Sequence, residues 1–104
     1  MLRITEAESV VLGPLWRLGP LTPARLMQEV KTAQPWADTT IKTLLARLAR
    51  KKAVVGERTD GVVRYRALLA REAYVEAEVR ALAERLFDGD EGALLAWLQT
   101  RRPH

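Results

Sequence analysis

Hydrophobic positions recur at helical spacing in the segment TTIKTLLARLARKK, residues 39 to 52. The apolar residues stand at i, i+3, i+4 and i+7, which places them on one stripe of an α-helix. They are Ile41, Leu44, Leu45 and Leu48. The opposite face contains no acidic residue and consists of Thr39, Thr43, Ala46 and Arg50, flanked by Lys42 and Arg47. An ordinary solvated face mixes Glu with Lys, so this face needs a specific explanation.

Two further helices are predicted before this segment. Thr5 and Glu8 have the spacing of a capping box, in which a hydroxyl and a carboxylate each accept a backbone N–H at a helix start. The first helix therefore begins at this pair and runs to about Leu18. A second helix follows, because Thr22 is a suitable N-cap and Pro23 is favoured at the first helical position.

After the third helix the pattern changes to β-strand and then returns to helix. VVGER and VVRYRA are joined by TDG, a three-residue connection containing Gly, which predicts an antiparallel hairpin. From about Ala70 to Phe87 a narrow apolar seam of heptad type predicts a long helix, with Val75, Val79, Leu82 and Leu86 in the seam. A short last helix is marked by Leu94, Leu95, Trp97 and Leu98.

Three helices followed by a hairpin are the element order of a winged helix-turn-helix, in which the third helix lies in the DNA major groove. The predicted fold class is therefore mainly α with a small β-hairpin, with C-terminal dimerisation helices appended. A length of 104 residues suits one compact domain with an added element. We expect a winged-helix DNA-binding domain over 1–69 and a C-terminal helical dimerisation region over 70–104.

The charge distribution separates the two parts of the chain. The net charge is +4, but residues 1–71 carry 13 Lys/Arg against 6 Asp/Glu, and residues 72–104 carry 4 against 7. Residues 42–66 alone have an excess of +6. Such a patch is the electrostatic footprint of a polyanion-binding protein, although a merely solvated surface is the alternative for a charge excess alone.

A DNA-reading role explains the unusual face of the third helix. Short side chains allow close approach to base edges, and a carboxylate there would repel phosphates. The bases of double-stranded RNA are less accessible, because a helix cannot enter its deep and narrow major groove.

Four blocks of the chain resemble, in order and with near-normal spacing, the penicillinase-repressor family, often called BlaI/MecI/CopY. They are ITEAESVVLGPLW, LTPARLMQEV, WADTTIKTLLARLARKKAVV and VVRYRALLAREAYVEAEVRALAERLFDGD. The resemblance runs from about Ile4 to Leu98. Its most diagnostic part is the pattern T-x-x-T-L-L-x-R-L at Thr40 to Leu48, followed by the hairpin and the long helix.

The resemblance implies a homodimeric transcriptional repressor that binds an inverted-repeat operator in double-stranded DNA. Carried over by position, the implied contacts on the third helix, the recognition helix, are Thr39, Thr40, Lys42, Thr43 and Arg47. The hairpin is the wing, and its implied contacts are Arg58 and Arg64. Arg50 joins the set from the outward face of the third helix. The C-terminal helices are implied to clasp two copies. Their apolar seam and the last helix make Val75, Val79, Leu82, Leu86 and Trp97 the residues expected at this contact.

The resemblance also implies a membrane sensor-protease as a partner, since antibiotic-responsive members are cut at an Asn-Phe bond in the C-terminal helical region. The aligned pair here is Ala96-Trp97, which departs from that pattern. Copper-responsive members carry a cysteine-rich tail, whereas this chain has no cysteine. Typical relatives continue through another helix after the position of Leu98, so we expect a smaller dimer interface here.

Other functional classes find little support in the sequence. No Ser/His/Asp set, glycine-rich phosphate loop or metal-spaced ligand cluster is evident, so neither an enzyme nor a cofactor or metal site is expected. No apolar run approaches the roughly 18 residues of a membrane span, and the start of the chain lacks signal-peptide features, so we expect a cytoplasmic protein without membrane insertion. Two alternatives stay open: a winged-helix protein-interaction module and a small-molecule-responsive regulator.

Overall fold

The computed structural model describes residues 3–101. Within them the chain forms α1 (Glu6–Leu18), α2 (Pro23–Ala33), α3 (Asp38–Arg50), β1 (Val54–Thr59), β2 (Val62–Ala67), α4 (Arg71–Phe87) and α5 (Glu91–Thr100). This order confirms the predicted fold class, a mainly helical chain with one small hairpin. The chain divides into two compact units between Ala70 and Arg71. The first unit holds α1 to β2, and the second holds α4 and α5.

The helix starts of the first unit follow the capping signals in the sequence. The Glu8 backbone N–H donates to Thr5 Oγ1 at 3.2 Å, and the Thr5 N–H donates to Glu8 Oε1 at 2.8 Å, which confirms the capping box. The Thr22 hydroxyl accepts the Arg25 N–H at 3.3 Å, so α2 begins with Pro23 at its first position, as predicted. These caps satisfy N–H groups that lack partners inside the helix.

The core of the first unit lies where α1, α2 and α3 meet. The largest fully buried apolar side chains are Val11, Leu12, Leu26, Val30, Ile41 and Leu48. Leu44 and Leu45 are also buried, so all four apolar positions predicted for α3 point into this core. The burial of this stripe fixes the rotation of α3 and turns its polar face outward.

The hairpin is tighter than the sequence suggested. Thr59 pairs with Val62, so the connection is the two residues Asp60 and Gly61 rather than three. Both have positive φ, 53° and 78°, the conformation that a two-residue type I′ turn requires and that Asp-Gly readily adopts. An added bridge, Leu21 to Tyr65, ties β2 to the segment between α1 and α2 through hydrogen bonds of 3.1 and 2.7 Å.

The second unit is a pair of helices with a small buried contact. Ala83 and Leu94 are its buried apolar residues. The Asp90 carboxylate caps α5 by accepting the Ala93 N–H at 3.0 Å. The last helix, Glu91–Thr100, extends beyond the short predicted segment. Several large apolar side chains of this unit stay exposed.

A buried ion pair joins the beginning of α1 to the end of α3. Glu8 is 1% exposed, and its Oε1 accepts a hydrogen bond from Lys51 Nζ at 2.6 Å. Burial raises the pKa of the Glu8 carboxyl, but the hydrogen bonds from Lys51 and Thr5 outweigh it, so the pKa lies below its ordinary value of 4.5. The pair therefore stabilises the folded state with Glu8 ionised.

Low pH should lower the stability of the first unit, because it protonates Glu8. Because the folded pKa is lower than the unfolded one, this contribution is complete above the unfolded pKa and is lost as the pH falls through the folded value. We expect the free energy of unfolding to decrease as the pH drops below 4.5, and Glu8→Gln to remove part of that decrease. Urea unfolding over an acid pH series measures it. A Glu8→Gln variant that keeps the full wild-type pH dependence would contradict this assignment.

Candidate nucleic-acid interface

The outward face of α3 is the most distinctive surface of the first unit. Its exposed side chains include Thr39, Thr40, Lys42, Thr43, Ala46, Arg47 and Arg50. A shallow depression on this face is lined by threonines and by Arg47. The Thr43 hydroxyl donates to the Thr39 carbonyl oxygen at 2.9 Å, so its proton is held within the helix while its oxygen can still accept. The face combines short polar groups with long basic ones, which suits contacts to base edges.

The only acid of α3 is neutralised at the helix start. Asp38 occupies the first turn, and its carboxylate forms an ion pair with Lys31 of α2. The hydrogen bond and the charge of Lys31 hold the pKa of Asp38 below its ordinary value. The acid is thus paired with α2, and the rest of the α3 face presents no negative charge.

A groove runs beside α3 toward the hairpin. Its lining comes from the start of α2, the outer side of α3 and strand β2, and consists of Pro23, Met27, Lys42, Leu45, Ala46, Ala49 and Tyr65. Ala46 and Ala49 keep the α3 side of this groove shallow. Tyr65 is the aromatic residue of this lining and comes from β2. The structure places it half-buried at this groove, next to Lys42.

The two arginines predicted for the wing lie on opposite faces of the hairpin. Arg58 pairs with Val63 and shares a face with Tyr65, whereas Arg64 pairs with Glu57 on the other face. Arg58 Nη1 donates to the Gly61 carbonyl oxygen at 3.2 Å, so its guanidinium lies close to the turn. A single phosphate cannot serve both arginines, and each face of the wing has its own basic group.

Two basic residues of the positively charged segment 42–66 form ion pairs with acidic side chains. Lys51 is paired with buried Glu8. Arg66 forms a two-point contact with Glu57, Nε to Oε1 at 2.9 Å and Nη2 to Oε2 at 3.3 Å, which lowers the pKa of Glu57. Within residues 3–101, the basic side chains between the start of α3 and the end of the hairpin that form no ion pair are Lys42, Arg47, Arg50, Lys52, Arg58 and Arg64. All but Lys52 belong to the predicted contact set.

The second unit presents a separate, apolar surface. Val75, Val79 and Leu86 of the predicted seam are 39%, 39% and 58% exposed, while Leu82 is half-buried. On α5, Trp97 is 48% exposed and lies under the Arg101 guanidinium, 5.0 Å from its ring centroid. Leu95 and Leu98 of α5 are also exposed, at 57% and 53%, and add to this apolar area. An apolar surface of this kind is typical of an interaction site.

Among residues 3–101, no three His, Cys, Asp or Glu side chains are grouped closely enough to hold a metal ion. No helix in the same range is long and apolar enough to cross a membrane.

A three-helix core with an outward third helix, followed by a basic hairpin, defines a transcriptional regulator of the winged-helix class. The family model described as the penicillinase repressor matches residues 4–103. The chain belongs to the penicillinase repressor family, as the sequence blocks indicated. This family and this fold are those of transcriptional regulators.

Individual relatives agree with this membership. A 16.5 kDa uncharacterised protein from Latilactobacillus sakei is 30% identical over 95 residues, covering 91% of this chain and 65% of that protein. The penicillinase repressor of Bacillus licheniformis is 24% identical over 87 residues, covering 84% of this chain and 68% of that protein. The chain thus spans about two thirds of the length of these curated relatives.

Two solved structures share the fold. A MarR family protein from Bacillus stearothermophilus is similar with a TM-score of 0.55 and 25% identity, over 95% of this chain and 71% of that one. A point mutant of ZitR from Lactococcus lactis is similar with a TM-score of 0.52 and 14% identity, over 95% of this chain and 73% of that one.

Proposed function

We propose that this chain is a sequence-specific DNA-binding repressor that acts as a homodimer on an inverted-repeat operator. The observation that carries the proposal is the outward face of α3, where short polar and basic side chains are exposed and the only acid of the helix is paired with Lys31. Basic groups on the hairpin extend the same positive charge. Membership in the penicillinase repressor family supports the repressor role.

The proposed site divides into residues that read bases and residues that hold phosphates. Thr39, Thr40, Lys42, Thr43 and Arg47 are proposed to face the major groove, where donors and acceptors on base edges distinguish all four base pairs. Arg50, Arg58 and Arg64 are proposed to contact the backbone, which fixes the position of the protein on the duplex without reading sequence. Ala46 allows the helix to approach closely.

The second unit is proposed to hold two copies together. Its exposed apolar side chains are Val75, Val79, Leu86, Leu95, Trp97 and Leu98, and Leu82 lies half-buried in the same seam. Covering apolar surface contributes about 25 cal/mol per Å², which favours association through this face. A two-fold dimer presents two recognition helices about one DNA turn apart, or a multiple of it, and therefore selects an inverted repeat.

The proposed partners are an operator duplex and a second copy of the chain, and the proposed location is the cytoplasm. A membrane sensor-protease stays a prediction of the family resemblance.

Selection from a pool of random-sequence duplexes tests the proposed function. The wild-type protein should enrich one inverted repeat whose half-sites are separated by about one helical turn or a multiple of it. Enrichment of no common sequence at physiological salt would contradict a sequence-specific regulator. Enrichment of single half-sites would contradict the dimer but retain base reading.

Substitution of the wing arginines should weaken DNA binding without changing base preference. Arg58→Ala and Arg64→Ala should each make the negative slope of log affinity against log salt shallower by about 0.9, the value for one phosphate contact. Because the two side chains lie on opposite faces of the hairpin, their effects should add in the double variant. Thr43→Ala is the comparison from the recognition helix, and it should relax preference at particular base pairs. A change of base preference in Arg64→Ala alone would reverse the assigned roles.

A charge in the exposed seam should dissociate the dimer. Leu86→Asp places a carboxylate among apolar side chains, and it should raise the dimer dissociation constant by at least about a hundredfold. Leu18→Asp is the matched control, since Leu18 is another exposed leucine, 49% against 58%, on the first unit. Sedimentation equilibrium measures both variants. A wild type that stays monomeric at high micromolar concentration and on DNA would refute the dimer.

A further inference from the structure

We infer that Glu8 and Lys51 position the recognition helix, so that this buried pair controls operator affinity without either residue touching DNA. The inference rests on the proposed DNA-binding function. Lys51 stands in the basic cluster that ends α3, next to Arg50 and Lys52. Position alone would make it a phosphate anchor, but its contacts assign it to the interior.

The contacts of the Lys51 ammonium all lead to the start of the chain. Nζ donates to Glu8 Oε1 at 2.6 Å and to the Arg3 carbonyl oxygen at 2.8 Å. Oε1 of Glu8 accepts the Thr5 N–H as well, so the ion pair and the capping box of α1 share one oxygen. The Lys51 side chain is 18% exposed and that of Glu8 is 1% exposed. A charge held in this way is not available to a phosphate.

The place of Lys51 in the fold explains what the pair can control. Lys51 is the C-cap residue of α3, and Lys52 follows with a φ of 60°, after which the chain turns into β1. Ala53 is fully buried, and its carbonyl oxygen accepts hydrogen bonds from the N–H groups of Leu68 and Leu69, at the base of the hairpin. The pair therefore anchors the α3–β1 junction to α1. This junction connects the recognition helix to the wing.

Loss of the Glu8–Lys51 pair should change the position of α3 and the wing in the first unit. Glu8 Oε2 is buried and accepts no hydrogen bond, and Lys51 is the one cation in an ion pair with this carboxylate among the described residues. Without Lys51 the carboxylate must reach water or take up a proton, and in either case the α3–β1 junction loses its link to α1 and is free to shift. If the arrangement that fits DNA falls to about a tenth of the population, the apparent dissociation constant rises about tenfold.

The effect of Glu8→Gln on DNA affinity has opposite signs under the two roles considered for Lys51. The protein is the full chain, and the probe is the duplex that wild type selects from the random pool. Glu8→Gln keeps an oxygen for the capping box but removes the carboxylate charge. If Glu8 positions the helix, affinity falls about tenfold; if Lys51 is a phosphate anchor restrained by Glu8, the variant frees it and affinity rises. An increase, or no change, would overturn the inference.

The salt dependence and a conservative substitution complete the test. Lys51→Met should lower affinity while the slope of log affinity against log salt stays at the wild-type value. A lost phosphate contact would instead make this negative slope shallower by about 0.9. Lys51→Arg, which can keep the ion pair, should restore most of the affinity. The control Lys52→Met removes an exposed positive charge one residue away, and its effect on affinity should be smaller than that of Lys51→Met.

Stability is measured for each variant, and binding is measured where unfolding curves show that all are folded. A loss of stability with wild-type affinity of the folded protein would show a merely structural pair and overturn the inference. Failure of the wild type to select any duplex would instead refute the proposed function.

Discussion

Ala46→Glu should abolish operator binding while the protein stays folded. Ala46 is exposed in the middle of the outward face of α3 and lines the groove next to Lys42 and Tyr65. A carboxylate there would face phosphates and base-edge acceptors, and a like-charge contact of this kind should lower affinity by at least about a hundredfold. Fluorescence anisotropy with the selected duplex measures the loss.

Ala77→Glu is the matched control for this substitution. Ala77 is also an exposed alanine in the middle of a helix, but it lies on α4, outside the proposed DNA surface. The control adds the same charge to the whole protein but places it away from the α3 face, so it should bind the duplex within a small factor of wild type. Equal losses in both variants would mean that net charge, rather than the α3 face, governs binding.

Leu48→Ala should destabilise the first unit more than any surface substitution. Leu48 is fully buried and belongs to the apolar stripe that seats α3 on the core. Removal of three heavy atoms from such a site should lower the free energy of unfolding by about 2 to 5 kcal/mol, because the neighbours close the cavity only in part. Urea denaturation followed by circular dichroism measures the change.

The comparison for this variant is Leu68→Ala. Leu68 is 47% exposed, so its truncation should change stability by no more than about 0.5 kcal/mol. A small effect of Leu48→Ala, similar to that of Leu68→Ala, would show that α3 is not held by its buried stripe. The orientation of the proposed reading face would then lose its physical basis.

Much of the fold could be predicted because its signals are local. The spacing of Ile41, Leu44, Leu45 and Leu48 fixes which side of α3 is buried, and the structure buries all four. Thr5 with Glu8, and Thr22 with Pro23, mark helix starts by hydrogen bonds to nearby residues, so these starts were predicted correctly. The turn at Asp60 and Gly61 was mistaken by one residue, since pairing of Thr59 with Val62 depends on both strands.

The parts of the site that the sequence could not predict depend on distant contacts. Lys51 and Glu8 are 43 residues apart, and no local pattern shows that this lysine turns inward while Arg50 and Lys52 face water. The opposite faces of Arg58 and Arg64 follow from the strand register rather than from composition. The half-burial of Leu82 likewise depends on packing within the second unit, which the heptad spacing alone does not describe.

DNA reading by α3 is tested most directly by a salt titration of wild-type protein on the selected duplex and on a scrambled duplex of the same length and composition. We expect tight binding to the selected duplex at physiological salt and binding to the scrambled one at least about a thousandfold weaker, with log affinity for both falling linearly against log salt. Equal affinity for the two duplexes, or an affinity that salt does not change, would contradict a DNA-reading function for α3.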